Sequence, residues 1–193
     1  MQTTSFHPDA YIRYLAQFHG TRDYFECHEL LEDYWKEHPG ADSGLWHGLI
    51  QIAVGQYHLR RGNRGGARKM LRSAWERLRR EDLGRAGLDG PALLALLDDA
   101  AGRLEAGEPL PYRSWTLPIE DPDLLAAARE ESARLGAAWC VEGEPAEEIV
   151  HRHRLRDRSG VVLARRESLE RKRPGEAERI DARRTAKTER TDR

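Results

Sequence analysis

Apolar residues recur along the first 135 positions with a period close to 3.6, and six segments carry that pattern. Tyr11, Ile12, Leu15 and Phe18 predict a helix from Pro8 to His19, ended by Gly20, with Thr21 or Asp23 placed to cap the next. A second helix is expected from about Asp23 to Glu37. The break His38-Pro39-Gly40-Ala41-Asp42-Ser43-Gly44 separates it from a third, about Leu45 to Arg60. This third helix is apolar on nearly every side, which marks it as the central and most buried one. Gly62-Asn63-Arg64-Gly65-Gly66 reads as a tight turn. Beyond it Met70, Leu71, Ala74, Trp75 and Leu78 predict a helix over 67–81. Leu93, Leu94, Leu96, Leu97, Ala100 and Leu104 predict one over 90–106, and a sixth is expected over 122–135. Pro109, Pro111 and Pro118 make 107–122 an extended linker, with 114–119 as a short extended edge. The fold class is therefore all-α, a compact bundle of five to six helices over residues 6–136, followed by a charged extension over 137–193.

Gly48 and Gly55 lie seven residues apart, hence on one face of the third helix, where they would admit a neighbouring helix closely. Trp35, Trp46 and Trp75 read as core residues rather than as a base-stacking platform. Cys27 falls between core positions of the second helix and reads as a small buried thiol. Neither Cys27 nor Cys140 belongs to a CxxC pair, which argues against a thiolate zinc site.

Polar residues interrupt this pattern in two places. His28 and Glu32 sit one turn apart on the second helix, with Glu29 beside them. His47, Gln51, Val54 and His58 share one stripe of the third. Buried imidazole, amide and carboxylate groups are expensive unless they meet each other, a metal or a ligand. The two stripes are therefore expected to face one another and form a polar internal site of His28, Glu29, Glu32, Gln51 and His58.

Three readings compete for that site. It could hold a divalent metal on His28, Glu32 and His58, since imidazole with carboxylate suits zinc, manganese or iron. His28-Glu29-Leu30-Leu31-Glu32 is not the His-Glu-x-x-His pair of zinc proteases, however, because Glu32 replaces the second histidine. It could be a metal-free pocket for ligand binding or acid–base chemistry. Or it could be a structural network that pins helix register, and this reading ranks first. A binding or structural role is the leading function, with a metal-dependent hydrolase using the same residues as the alternative.

Composition adds a compartment and an asymmetry. The 193 residues are 39% hydrophobic and 34% charged, and no apolar run approaches the roughly 20 residues of a membrane helix. The opening MQTTSFHPDAYIRYL lacks the pattern of a secretory signal, so a cytoplasmic protein with no membrane contact is expected. Residues 1–150 hold 17 Lys and Arg against 25 Asp and Glu, a balance of −8; residues 151–193 hold 15 against 8, a balance of +7. The Arg-rich stretch 152–173 suits weak, salt-sensitive contact with nucleic acid or with a partner protein. A solvated or body-docking extension is the favoured reading, because the tail lacks aromatic residues. Assembly into a homo-oligomer is left open.

The run Asp23-Tyr24-Phe25-Glu26-Cys27-His28-Glu29-Leu30-Leu31-Glu32-Asp33-Tyr34-Trp35 is followed by Gly48-Leu49-Ile50-Gln51-Ile52-Ala53-Val54. Tyr57-His58 and Gly62-Asn63-Arg64-Gly65-Gly66-Ala67 come next. This order resembles the bacterial and archaeal "domain of unknown function 309" family over about residues 8–80. Arg154-Leu155-Arg156-Asp157-Arg158-Ser159 is similar to an extension of some bacterial members. The resemblance implies an all-helical fold and supplies no established activity. It places His28, Glu29, Glu32, Trp35, Gln51, His58 and Asn63 on signature positions, which adds Asn63 to the site, whereas His47 does not clearly fall on one and ranks lower.

Residues 174–193 contain a single large aliphatic side chain, Ile180, and no aromatic. They cannot bury enough apolar surface to offset chain ordering. Truncation after Arg173 is expected to leave the melting temperature unchanged within error, and a clear drop in a calorimetric melt would show that the tail docks.

Overall fold

A computed structural model describes residues 7–40, 42–141 and Ile149. Among them are six α-helices: α1 (Asp9–Ala16), α2 (Tyr24–Glu37), α3 (Ser43–Arg60), α4 (Arg64–Leu78), α5 (Gly90–Glu105) and α6 (Pro122–Arg134). The expectations for the Arg-rich stretch 152–173 and for residues 174–193 lie outside the described residues.

Short polar residues start four of these helices. Asp23 Oδ1 accepts from Glu26 N at 3.0 Å, Asn63 Oδ1 from Gly66 N at 2.9 Å, Asp89 Oδ1 from Ala92 N at 3.0 Å, and Asp121 Oδ1 from Leu124 N at 3.0 Å. Each bond satisfies a first-turn N–H that has no carbonyl partner within the helix. The Asn63 cap moves the start of α4 three residues ahead of the expected one, so Gly65 and Gly66 lie in its first turn rather than in the loop.

The end of the first helix differs from expectation in an instructive way. α1 continues as a π-helical turn, Gln17–Thr21, and the left-handed residue that closes it is Arg22, at φ 59°, two positions after Gly20. Gly20 serves packing instead. A Cβ there would sit 2.2 Å from Ser132 Oγ of α6.

α3 is the hub, packed against α2 on one side and α4 on the other; α4 in turn meets α5, and α1 meets α2 and α6. Leu45, Trp46, Leu49, Ile52, Ala53 and Leu59 are buried along α3. Its two glycines act as anticipated. A Cβ on Gly48 would lie 2.5 Å from Leu78, and one on Gly55 would lie 2.5 Å from Leu71. The side chains of α4 thus seat directly on the α3 backbone. Tyr11 and Tyr14 bring α1 into the same core and satisfy their hydroxyls by donating to Ala86 O at 3.0 Å and Leu49 O at 2.8 Å. Cys27 is fully buried, as expected, with its thiol directed to Tyr14 O at 3.6 Å.

The proline-marked segment after α5 runs back across the bundle without forming a strand; one isolated antiparallel bridge joins Ile119 to Leu88. Three buried polar side chains fasten it, the first being Arg22, whose Nη1 donates to Trp115 O at 2.9 Å. The amide of Gln56, oriented to suit its neighbours, donates to Arg113 O at 3.1 Å and accepts from Trp115 Nε1 at 3.2 Å. His19 Nε2 accepts from Leu117 N at 2.9 Å, so Nδ1 carries the proton and donates to Leu15 O at 2.8 Å. The His19 ring stacks on Trp139 at 4.5 Å, so packing extends past residue 136. Among the described residues, no helix is long and apolar enough to cross a membrane.

Burial, reinforced by the nearby Arg22 guanidinium, pushes the His19 imidazole down to about 4 from its ordinary 6.5. The unfolded chain therefore takes up a proton first as pH falls. The fold should lose up to about 3 kcal/mol on this account between about pH 6.5 and about pH 4. Urea melts of wild type and His19→Gln across that window are expected to show a flatter pH dependence for the variant; equal slopes would mean that His19 is not held neutral.

Candidate functional site

The turn between α2 and α3 makes them antiparallel, and residues equidistant from it meet. Tyr34 packs edge-on against Trp46 at 5.4 Å, and Trp35 lies against His47 at 4.0 Å. One turn farther from the connection, His28 and Glu32 of α2 come opposite Gln51 of α3. These side chains, with Trp35, His47, Ile50 and Arg77 of α4, line a pocket of about 200 Å³.

His28 is held between two carboxylates. Its Nδ1 lies 2.9 Å from Glu29 Oε1, and its Nε2 lies 3.5 Å from Glu32 Oε2. The other oxygen of Glu32 is taken by Lys36 Nζ at 3.2 Å, the next residue along the same stripe. A neutral ring that donates Nδ1–H to Glu29 turns the Nε2 lone pair toward Glu32. The ligand atoms of His28, Glu29 and Glu32 all fall within 4.8 Å of one another, and no other such group of three occurs among the described residues. The three side chains are 32%, 31% and 33% exposed, so the site opens to solvent at the helix edge rather than being sealed inside. The reason is geometric: α2 buries Cys27 and Leu31 against the bundle, and the His28–Glu32 stripe flanks that contact.

Across the pocket His47 is held below its ordinary pKa by burial and by the Arg77 guanidinium, with Glu32 opposing. Gln51 Oε1 is buried and accepts no hydrogen bond from any described residue.

The two stripes thus do meet, but only over part of their length. His58 lies two turns beyond Gln51 on α3, about 10 Å along the axis, and does not line the pocket. It sits instead over the start of α4, where its Nδ1 accepts from Asn63 Nδ2 at 3.1 Å. A Cβ on Gly66 would approach its ring to 2.8 Å, so the glycine makes room for the imidazole. Burial, and then Arg61, lowers the His58 pKa. His58 and Asn63 therefore stitch the α3–α4 turn. The pocket gains His47, Trp35 and Arg77. The usable signal for Arg77 was the glycine pair: seating Leu78 on Gly48 puts the preceding residue of α4 near His47.

The family model described as "Domain of unknown function (DUF309)" matches residues 11–70. The "Uncharacterized protein YpuF" of Bacillus subtilis (strain 168) is 40% identical over 176 residues, which is 86% of this chain and 97% of that protein. The chain belongs to the DUF309 family. No solved structure matches it. The match of 11–70 takes in α1, α2, α3 and the start of α4, and so includes every pocket residue except Arg77.

These placements separate two kinds of polar residue by their cost. Asn63→Ala removes a helix cap and the partner of His58, and should destabilise the fold by about 0.5–2 kcal/mol. His28→Ala, at a half-exposed edge, should stay within about 0.5 kcal/mol of wild type. Chemical unfolding of both variants in metal-free buffer checks this, and a larger loss for His28→Ala would give the His28 cluster a structural role.

Proposed function

We propose that this protein binds a divalent first-row transition metal on His28 and Glu32, with Glu29 orienting the imidazole. One observation carries the reading: an imidazole nitrogen and a carboxylate oxygen face each other 3.5 Å apart, with the far side of each already engaged. That separation is longer than a good hydrogen bond. It suits two ligands at about 2.1 Å from a shared ion, subtending about 110°. Glu29 supplies the outer hydrogen bond that metal-bound histidines generally have. The mixed imidazole and carboxylate set fits zinc, manganese or iron.

Two protein ligands leave the remaining coordination positions to water or a ligand, which is the condition of a catalytic rather than a structural site. This favours metal-dependent hydrolysis as the chemistry of the pocket. His47, whose protonation is disfavoured, then serves as the nearby base.

After chelation and reconstitution with Zn²⁺ or Mn²⁺, elemental analysis should give about one ion per chain. His28→Ala and Glu32→Ala should abolish this, and Glu29→Gln should weaken affinity by about 10–100-fold. Wild type without stoichiometric metal, or His28→Ala that retains it, would remove the reading.

A further inference from the structure

We infer that the outer face of α4 binds duplex DNA along its sugar–phosphate backbone, without reading base sequence. The inference is independent of the metal reading, because it concerns charge outside the pocket.

Segregation of charge comes first. The 21 residues from Arg60 to Arg80 hold nine of the 17 Lys and Arg of residues 1–150, and one of their 25 acids, Glu76. A body whose balance is −8 thus gathers its cations on one helix and its two ends. Folding then sorts them. Arg72 turns to α5, where Asp98 and Glu105 clamp it, and Arg64 donates to Glu108 O. Lys69, Ser73, Arg77 and Arg80 instead follow one another at helical spacing, on the side opposite the seat of Leu71 and Leu78 on α3. The three cations of this stripe are exposed. The acids that follow it are turned away: Glu81 directs its carboxylate at Gly44 of α3, and Asp82 accepts from Arg85 N at 3.0 Å. Glu32, which lines the pocket with Arg77, is paired with Lys36. Glu76 is the acid left on this side of α4.

The composition of the face then selects the partner. The apolar residues Ala67, Leu71, Ala74 and Leu78 are buried against the bundle, and the exposed large apolar side chains among the described residues are Leu135 and Val141, outside α4. A helix that lies on a bilayer needs an apolar face to insert, and a protein partner needs an aromatic or aliphatic anchor. Phosphates need neither, since cations and hydroxyls hold them. Single strands are held largely by stacking on aromatic rings. Trp75 of α4 is half-buried, and Arg72 and Arg79 already lie over its ring at 5.5 and 4.8 Å. A duplex carries its phosphates outside and asks for no stacking. At about 1.5 Å per residue, Lys69 to Arg80 spans about 16 Å, or about five base pairs. α4 packs on α3 and α5, which leaves its outer side to lie in the roughly 12 Å major groove of B-form DNA. The deep, narrow major groove of duplex RNA does not admit a helix.

Fluorescence anisotropy with a DNA duplex of about 20 base pairs tests this on the full-length protein, so that the basic residues 151–193 are present throughout. Binding should weaken roughly 100-fold between about 50 and about 200 mM salt, as about four phosphate contacts require. The double variant Lys69→Gln/Arg80→Gln should bind at least ~10-fold more weakly at low salt, with the salt slope reduced by about two. Arg113→Gln/Arg129→Gln removes the same charge from exposed positions outside α4 and should leave affinity within about twofold. Thermal melts establish that both variants fold. Undetectable duplex binding at low salt, wild-type affinity in Lys69→Gln/Arg80→Gln, or an equal loss in Arg113→Gln/Arg129→Gln overturns the inference. So does tighter binding of single-stranded DNA, duplex RNA, poly-glutamate or vesicles of anionic lipid, each of which would give the face a different partner.

Discussion

The structure is organised around one helix that cannot face water. α3 carries apolar residues on nearly every side, so it needs neighbours all round, and its glycines decide how close one of them comes. Leu71 and Leu78 seat on Gly55 and Gly48 at distances that no other residue type would allow without a shift. Such close contact removes much apolar surface from water per turn of helix. It also fixes the register of α4, since sliding by one residue would set a side chain against the glycine notch. The short turn before α3 fixes α2 on the other side. With both neighbours locked, the polar positions of three helices can converge on one place.

That convergence explains which candidates share the pocket. Sequence periodicity shows that His47, Gln51 and His58 lie on one stripe of α3, but not how far the stripe of α2 reaches along it. Antiparallel pairing answers this. Trp35 meets His47, so His28 and Glu32 fall beside Gln51, while the end of α3 near Arg60 falls beside the start of α2, where Arg60 Nη1 donates to Arg22 O at 2.8 Å. His58 thus falls about one turn beyond the level of His28 along α3, outside the pocket lining, and the α3–α4 turn employs it.

Much of the fold was legible because helix periodicity, proline and glycine breaks and Asx caps are local signals. The extents of α2, α3, α5 and α6 follow from them closely. Two readings of glycine were less direct. Gly20 looked like a terminator, yet it admits α6, and the backbone reverses at Arg22. Gly65 and Gly66 looked like loop, yet the Asn63 cap draws them into α4. In both cases a long-range contact or a cap overrides what the residue does alone. The site was half legible for the same reason. His28, Glu29, Glu32 and Gln51 break a local pattern and so stand out. Arg77 breaks none, because arginine on an exposed helix face is ordinary, and only its register against Gly48 gives it a place.

Several buried polar side chains of this body are fully matched, although Arg22 Nε and Arg60 Nε and Nη2, like Gln51 Oε1, meet no partner among the described residues. His19 uses both ring nitrogens on backbone groups of two different segments. Gln56 uses both ends of its amide to hold Arg113 and Trp115. Asp23 and Asp121 satisfy the first turns of helices. Such matching offsets the penalty that a low-dielectric interior sets on an unmatched group. What sets the pocket between α2, α3 and α4 apart is that three open polar features lie along its walls. Gln51 leaves an acceptor open, Arg77 forms no ion pair among the described residues, and His28 and Glu32 stand at a distance that suits neither a good hydrogen bond nor indifference. A purely structural network would gain stability from closing those gaps, and Glu32 and Arg77, opposite in charge, line the same pocket. Glu32 is paired with Lys36 and His28 instead, and this arrangement is one ground on which we propose the pocket as a binding site.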